Sequence, residues 1–295
     1  VVEQAQRIRA SERMWREEVF FYIATAPVLL IFSGLLLFPL AYELLIAFSN
    51  RAGELTIENI LHVIGDPVYR MSLVRTVVYI TIDIAIKFGL GLLTAAALRQ
   101  QFKGKGFVML LILLPWVVPL VPALYVWHTL YSPDWGVINY YLTRAGIVSS
   151  PIQFLGDPGI ALYSIIWAHA WRYTPMWTLI LLAGITAIPE ELYESAKVDG
   201  ASPIRTFTTI TIPMLRRYLL MNAVLSMIWT SGEFASVWVL TRGGPGTSTH
   251  IVGTYAYWYL MFIGDPNIAA ASLVVALPII IGLMIFFLWL VGRRD

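Results

Sequence analysis

Six long apolar stretches constrain this chain more than any other feature. They run over about 19–48, 71–98, 107–130, 160–188, 216–238 and 268–290, nearly free of charge. A helix needs about 20 apolar residues to cross the hydrocarbon core of a bilayer. Inside lipid every backbone N–H and C=O must find a partner within the protein, so only helices and closed barrels can span. The runs are continuous and lack the ten-residue alternation of a barrel strand. The expected fold is therefore all-α, a polytopic membrane protein with six transmembrane helices. Composition agrees, because 58% hydrophobic and 13% charged residues are too apolar a mixture to coat a soluble protein of 295 residues.

Charge distribution orients the spans. Segments 1–18, 99–106, 189–217 and 291–295 carry 13 Lys and Arg, whereas 49–70, 131–159 and 239–267 carry 4. Cytoplasmic loops are the basic ones, which predicts both termini in the cytoplasm. Residues 1–18 read as a mixed-charge amphipathic lead-in lying along the membrane surface, and 291–295 as a cytoplasmic tail. The first run is too long for a signal-peptide core and carries Glu43, so it reads as a retained anchor. Tyr125, Trp127, Tyr131 and Trp135, and later Tyr255, Tyr257, Trp258 and Tyr259, fall where outer-interface aromatics are expected.

Several chemistries are missing. There is no cysteine, and no phosphate loop, zinc-protease, nucleophile-elbow or dinucleotide-binding motif. His62, His128, His169 and His250 are scattered and read as interface or loop residues, not as metal ligands. With a net charge of +2 and no basic patch, nucleic acid is not indicated. The chain is not expected to be an enzyme or to bind a cofactor or metal, and any ATP-driven step needs a separate protein.

One segment has the punctuation of a purpose-built element. Residues 189–213 read P-E-E-L-Y-E-S-A-K-V-D-G-A-S-P-I-R-T-F-T-T-I-T-I-P. Pro189 fits the start of a helix, with Glu190 and Glu191 at the positive end of its dipole. Leu192, Tyr193, Ala196 and Val198 supply an apolar side, Asp199-Gly200 a stop, and Ser202-Pro203 a cap that restarts a second helix. The result is a cytoplasmic helix-turn-helix too short to stand alone.

This segment resembles the EAA loop of ATP-binding-cassette importer permeases. The match lies in Glu194-Ser195-Ala196, Asp199-Gly200-Ala201 and Ile210-x-x-Pro213, with Ser195 in place of the family's first Ala. Residues 130–139 (L-Y-S-P-D-W-G-V-I-N), 239–249 (V-L-T-R-G-G-P-G-T-S-T) and Ala269-Ala270-Ala271 resemble the sugar and glycerol-phosphate branch, in its maltose F-type or glycerol-phosphate A-type half. The resemblance implies a coupling helix seated in a cleft of an ATPase subunit. Glu190, Glu191, Tyr193, Glu194, Ala196, Asp199, Gly200 and Pro213 are then the coupling residues, with Tyr193, Ala196 and Val198 supplying apolar grip. It further implies a second homologous permease, two ATPase subunits holding ATP and Mg2+, an extracytoplasmic solute-binding protein, and a prokaryotic inner membrane. The implied cargo is a maltodextrin, trehalose or similar sugar; glycerol 3-phosphate or a glycerophosphodiester is the alternative. A self-contained secondary transporter is the rival from another class.

Ionisable groups within spans are costly and need an account. Asp83 and Lys87 are spaced to pair along one helix, and Arg172 and Glu233 sit in the fourth and fifth runs, where a mutual contact is an option. These two runs flank the coupling segment, so Arg172, Trp171, Trp177, Trp229 and Glu233 are the candidate pathway residues. Pro115, Pro119 and Pro122 predict an interrupted third span beside the route. Gly243, Gly244 and Pro245 predict an external turn.

Overall fold

The computed structural model describes residues 2–292, with side-chain surroundings for Trp15 and over 18–289. Most side chains of the charged lead-in, and residues 293–295 of the tail, lie outside the described residues. The lead-in backbone runs on into the first span as one helix, α1 (Val2–Ala47). No strand occurs among the described residues, only an isolated bridge between Ser49 and Leu55. Two short helices that the apolar runs gave no sign of are α2 (Glu58–Gly65) and α6 (Val137–Arg144).

Helix α3 (Pro67–Arg99) starts where proline chemistry dictates: Pro67 needs no N–H partner, and the Asp66 carboxylate accepts from Val68 N at 2.8 Å. The third run is broken into α4 (Lys105–Val117) and α5 (Leu120–Leu130), bent by 101°. Helix α7 (Ala161–Thr186) is followed by α8 (Glu190–Val198) and α9 (Pro203–Thr206), then a π turn (Phe207–Thr211) and α10 (Ile212–Met214). Helix α11 (Arg216–Ser231) stops at Gly232–Phe234, and the chain resumes in α12 (Ala235–Leu240). Helix α13 (Val252–Trp258), its π turn (Tyr259–Ile263) and α14 (Pro266–Gly292) complete the described chain.

Three helices are each long and apolar enough to cross a bilayer: 18–47 of α1, all of α3, and 266–289 of α14. Counting the bent pairs α4–α5 and α7–α8 raises the number to five. The sequence expectation was six. The shortfall lies in 216–238, which Gly232-Glu233 divides so that α11 reaches only 16 residues.

Helices α3 and α7 form the centre, joined by a Thr94–Thr178 hydroxyl contact of 2.6 Å. One apolar cluster surrounds the α7 N-terminal half and includes Tyr79, Leu124, Trp127, Ile165 and Val237. A second surrounds its C-terminal half, with Trp177, Leu181, Ile185, Leu215 and Met227. The third ties the end of α1 to α13 and α14 through Ala47, Val63, Tyr255 and Ala271. Trp127, Tyr131 and Tyr255 are thus core residues, where the sequence suggested interface anchors. Apolar faces of α1 and α14, such as Phe20, Leu30, Phe38, Ile281 and Phe286, remain uncovered by the chain itself, as lipid-facing surfaces are.

Candidate functional site

The hairpin after α7 takes shape from its capping residues. Pro189 is the residue before α8, one place earlier than expected, and Glu190 and Glu191 open the helix. At its other end Gly200 adopts φ +71°, Gly200 N donates to Lys197 O at 3.1 Å, and Ala201 N to Ala196 O at 2.9 Å. This pair of bonds is a Schellman stop, which favours glycine at the left-handed position. Ser202 then caps α9 by accepting from Arg205 N at 3.3 Å.

The apolar side of α8 is divided. Ala196 is buried, and Tyr193 lies under the Arg99 guanidinium, 3.7 Å from its ring centroid, with its hydroxyl 3.1 Å from Thr211 Oγ1. Arg99 also pairs with Glu190 at 2.6 Å. These contacts tie the inner side of the hairpin to α3 and to the π turn (Phe207–Thr211). What faces outward is Glu191, Glu194, Asp199, Gly200, Val198 at 86% exposure and Ile204 at 77%. Pro213 is exposed at the base.

Within the helical body four ionisable side chains meet. Asp83 pairs with Lys87 along α3, as their spacing suggested. Its other oxygen faces His169 Nδ1 at 2.8 Å, and His169 Nε2 faces Glu233 Oε2 at 3.2 Å. Thr230 donates to Asp83 Oδ2 at 3.1 Å, and Glu233 Oε1 accepts from Ser236 N, the first turn of α12, at 2.6 Å. All four ionisable groups are 8% exposed or less. Ionised carboxylates only accept, so with both of them charged the histidine ring held between them donates from both nitrogens. Two cations then face two anions, which is what makes such burial tolerable. His169, read from sequence as an interface or loop residue, is therefore the centre of the network. Glu233, expected along the pathway, has both oxygens occupied by the protein.

Arg172 does not meet Glu233. Its Nη1 donates to Pro115 O at 3.1 Å and to Val118 O. Both carbonyls were orphaned by sequence: their helical partners four residues on are Pro119 and Pro122, which have no N–H. The three cations within the apolar runs are all engaged, since Arg75 donates to Thr247 O at 2.7 Å and Lys87 pairs with Asp83. Trp171 packs edge-on against Trp127 at 5.5 Å, and buried Trp177 donates to Ser226 Oγ at 2.6 Å. Of the tryptophans singled out, only Trp229 presents an exposed ring, beside Tyr173 at 6.4 Å.

At the opposite end from the hairpin, 241–249 folds into a compact turn. Gly243 takes φ +89° under the His250 ring, Gly244-Pro245 is cis, and Thr249 Oγ1 donates to Gly244 O at 2.7 Å. Gly244 and Pro245 help line a cavity of about 540 Å³ with Tyr131, Ser132, Trp135 and Gln153. The two family-like loops of the sequence, 130–139 and 239–249, thus meet in space.

Residues 87–294 match the family described as binding-protein-dependent transport system inner membrane component. The chain belongs to that family. A binding-protein-dependent inner membrane component is a transport subunit, and this one has similar relatives along nearly its whole length. It is 31% identical to the trehalose/maltose transport system permease protein MalF of Thermococcus litoralis, over 97% of this chain and 98% of the relative. It is 30% identical to the lactose transport system permease protein LacF of Rhizobium radiobacter, over 93% and 94%. The fold is shared with a chain in the crystal structure of a bacterial ABC transporter that imports the acidic polysaccharide alginate. That likeness has a TM-score of 0.82 and 21% identity, over 96% of this chain and 99% of the other. The family match takes in the hairpin, His169, Glu233 and the 241–249 turn, while α1, α2 and the first part of α3 precede it.

Proposed function

We propose that this chain is one permease subunit of an ATP-driven importer and forms half of the pathway for a sugar. The six apolar runs cross the bacterial or archaeal inner membrane six times, with both termini in the cytoplasm. A second, homologous permease completes the pathway, two ATPase subunits bind ATP and Mg2+, and an extracytoplasmic binding protein delivers the solute. The observation that carries this reading is the α8–Gly200–α9 hairpin, which is braced from behind by Arg99 and presents an acidic, partly apolar outer edge. An edge of Glu191, Glu194, Val198 and Ile204 suits a cleft with basic walls and an apolar floor; the exposed ion pairs would contribute about 0–1 kcal/mol each. A sugar is favoured over a phosphate ester, because Lys87 is paired with Asp83 and the donors of Arg172 and Arg75 are directed to backbone carbonyls of this chain.

Affinity purification from the native membrane in mild detergent, with every co-purifying subunit identified by mass, tests the reading. Recovery of a second permease and an ATPase is the expected result, and uptake of a labelled disaccharide by the reconstituted complex should require ATP. Isolation of this chain alone, under conditions that keep other membrane complexes together, would overturn it and bring a secondary transporter forward.

A further inference from the structure

The buried ionic network sits where the hairpin's motion would be passed to the far side of the membrane. Helix α11 begins at Arg216, directly after α10 and Leu215, and its 16 residues extend about 24 Å. Along this length it is fixed to α7 at two levels and to α3 at a third. At the hairpin end Gly184 lets Leu215 and Tyr218 close in, because a Cβ there would lie 2.6 Å from Leu215 Cδ2. Midway, Trp177 donates to Ser226. At the far end Thr230 bonds Asp83 of α3. Helices α3, α7 and α11 are therefore held as one body.

Helix α12 is a distinct element that rests on that body through apolar packing, with Val237 and Leu240 in the cluster that holds Tyr79, Ile165 and Ile166. It follows the break at Gly232–Phe234 and leads straight into the 241–249 turn. One carboxylate spans the joint: Glu233 Oε1 accepts from Ser236 N at the start of α12, while Oε2 faces His169 on α7. This side chain caps one element and is ionically fixed to the other, so it adds a directional polar tie to the apolar packing between them.

We propose that Glu233 and His169 are positioning residues that couple the α8–α9 hairpin to the α12 turn. Docking of a binding protein at the turn end reaches the ATPase side through this joint, and closure at the hairpin end moves the turn through the same contact. The inference rests on the importer reading above. Asp83 and Lys87 complete the arrangement, since they neutralise the imidazolium and its second carboxylate without touching α12.

The test uses the complete permease–ATPase complex in lipid nanodiscs, measuring ATP hydrolysis with and without sugar-loaded binding protein. Glu233→Ala removes both the cap and the ionic contact, and His169→Asn removes the bridge from the other side. Both should retain basal hydrolysis within about twofold while stimulation by the binding protein falls at least tenfold. Glu233→Gln keeps an oxygen for Ser236 N, so it should recover part of the stimulation. Basal hydrolysis and stimulation falling in parallel in all three variants would mean a merely structural role and would overturn the proposal, as would an unchanged ratio in Glu233→Ala. Should Glu233→Ala fail to assemble, Glu233→Gln decides, with a wild-type ratio counting against the proposal and a partial loss supporting it. A wild-type complex without any ATPase stimulation would instead refute the importer reading, independently of these variants.

Discussion

Replacing Arg172 by alanine should destabilise the protein without altering what it carries. Arg172 serves the carbonyls of Pro115 and Val118, which Pro119 and Pro122 leave without helical donors. An orphaned buried acceptor costs about 1–3 kcal/mol, and no bulk water is available inside a bilayer to relieve it. Loss of both bonds should therefore cost about 2–6 kcal/mol, with the low end applying if water enters the bend. Arg172→Lys should recover part of this, because one ammonium on a shorter stem lacks the guanidinium fork. Unfolding of the detergent-solubilised complex by guanidinium or heat, followed by tryptophan fluorescence, gives the stability order wild type, Lys, Ala. The solute concentration giving half-maximal uptake should be the same in all three, once uptake is scaled to folded protein. An Arg172→Ala protein of wild-type stability, or one whose uptake needs much more solute, would refute the carbonyl-clasp account and return Arg172 to the pathway.

Gly200→Asp should insert at normal levels yet lose ATP-dependent uptake. A non-glycine residue at φ +71° costs about 1–2 kcal/mol, and a Cβ there meets nothing within this chain, so the damage should fall on the docked edge; full uptake at wild-type abundance refutes this. Gly184→Val should cost about 1–3 kcal/mol by forcing Leu215 and Tyr218 away from α7, read as a lowered midpoint in the same unfolding assay. Burial pushes the Asp265 carboxyl up, but its hydrogen bond from Arg51 and the N–H groups of Ile268 and Asn267 outweigh that and hold it below the usual range. A lowered folded value gives stability that is present above about pH 4 and lost as pH falls through the folded value. Wild type and Arg51→Ala should therefore differ slightly at pH 7 and converge in strong acid; a difference that grows on acidification contradicts the assignment.

The sequence is most legible where one element's own residues decide its shape. The runs 71–98, 160–188 and 268–290 lie almost wholly within α3, α7 and α14. Three prolines signalled the break between α4 and α5, and Ser202-Pro203 and Gly200 signalled the hairpin's caps. Pairing across helices was another matter. Asp83, Lys87, Arg172 and Glu233 were each visible as charges in apolar runs, but periodicity along one helix says nothing about rotation against its neighbour. The Arg172 contact was therefore sought with Glu233, when the acceptors were backbone carbonyls whose exposure could have been deduced from Pro119 and Pro122. His169 had a weaker signal: Asp83 and Glu233 are two carboxylates in apolar runs and Lys87 is spaced to pair with only the first, which leaves a negative charge that a histidine in the same runs can balance. The inward turn of Tyr193 was likewise invisible, because Arg99 lies 94 positions earlier.

Helix α1 has a consequence for how the protein responds to its membrane. An 18-residue apolar stretch of its 30-residue span has no buried side chain, and among the described residues its hydrogen bonds to the rest of the chain lie at the far end. There Asn59 donates to Ala47 O and Ser49 O, and Asn267 to Ile46 O and Ser49 O. Such a helix is about 45 Å long, against a hydrocarbon thickness of about 30 Å. The excess must be absorbed by tilt or by protrusion, and among the described residues no packing along the apolar stretch itself selects the angle. Bilayer thickness, together with whatever lies alongside residues 18–45, therefore sets the inclination of α1 about its asparagine pivot.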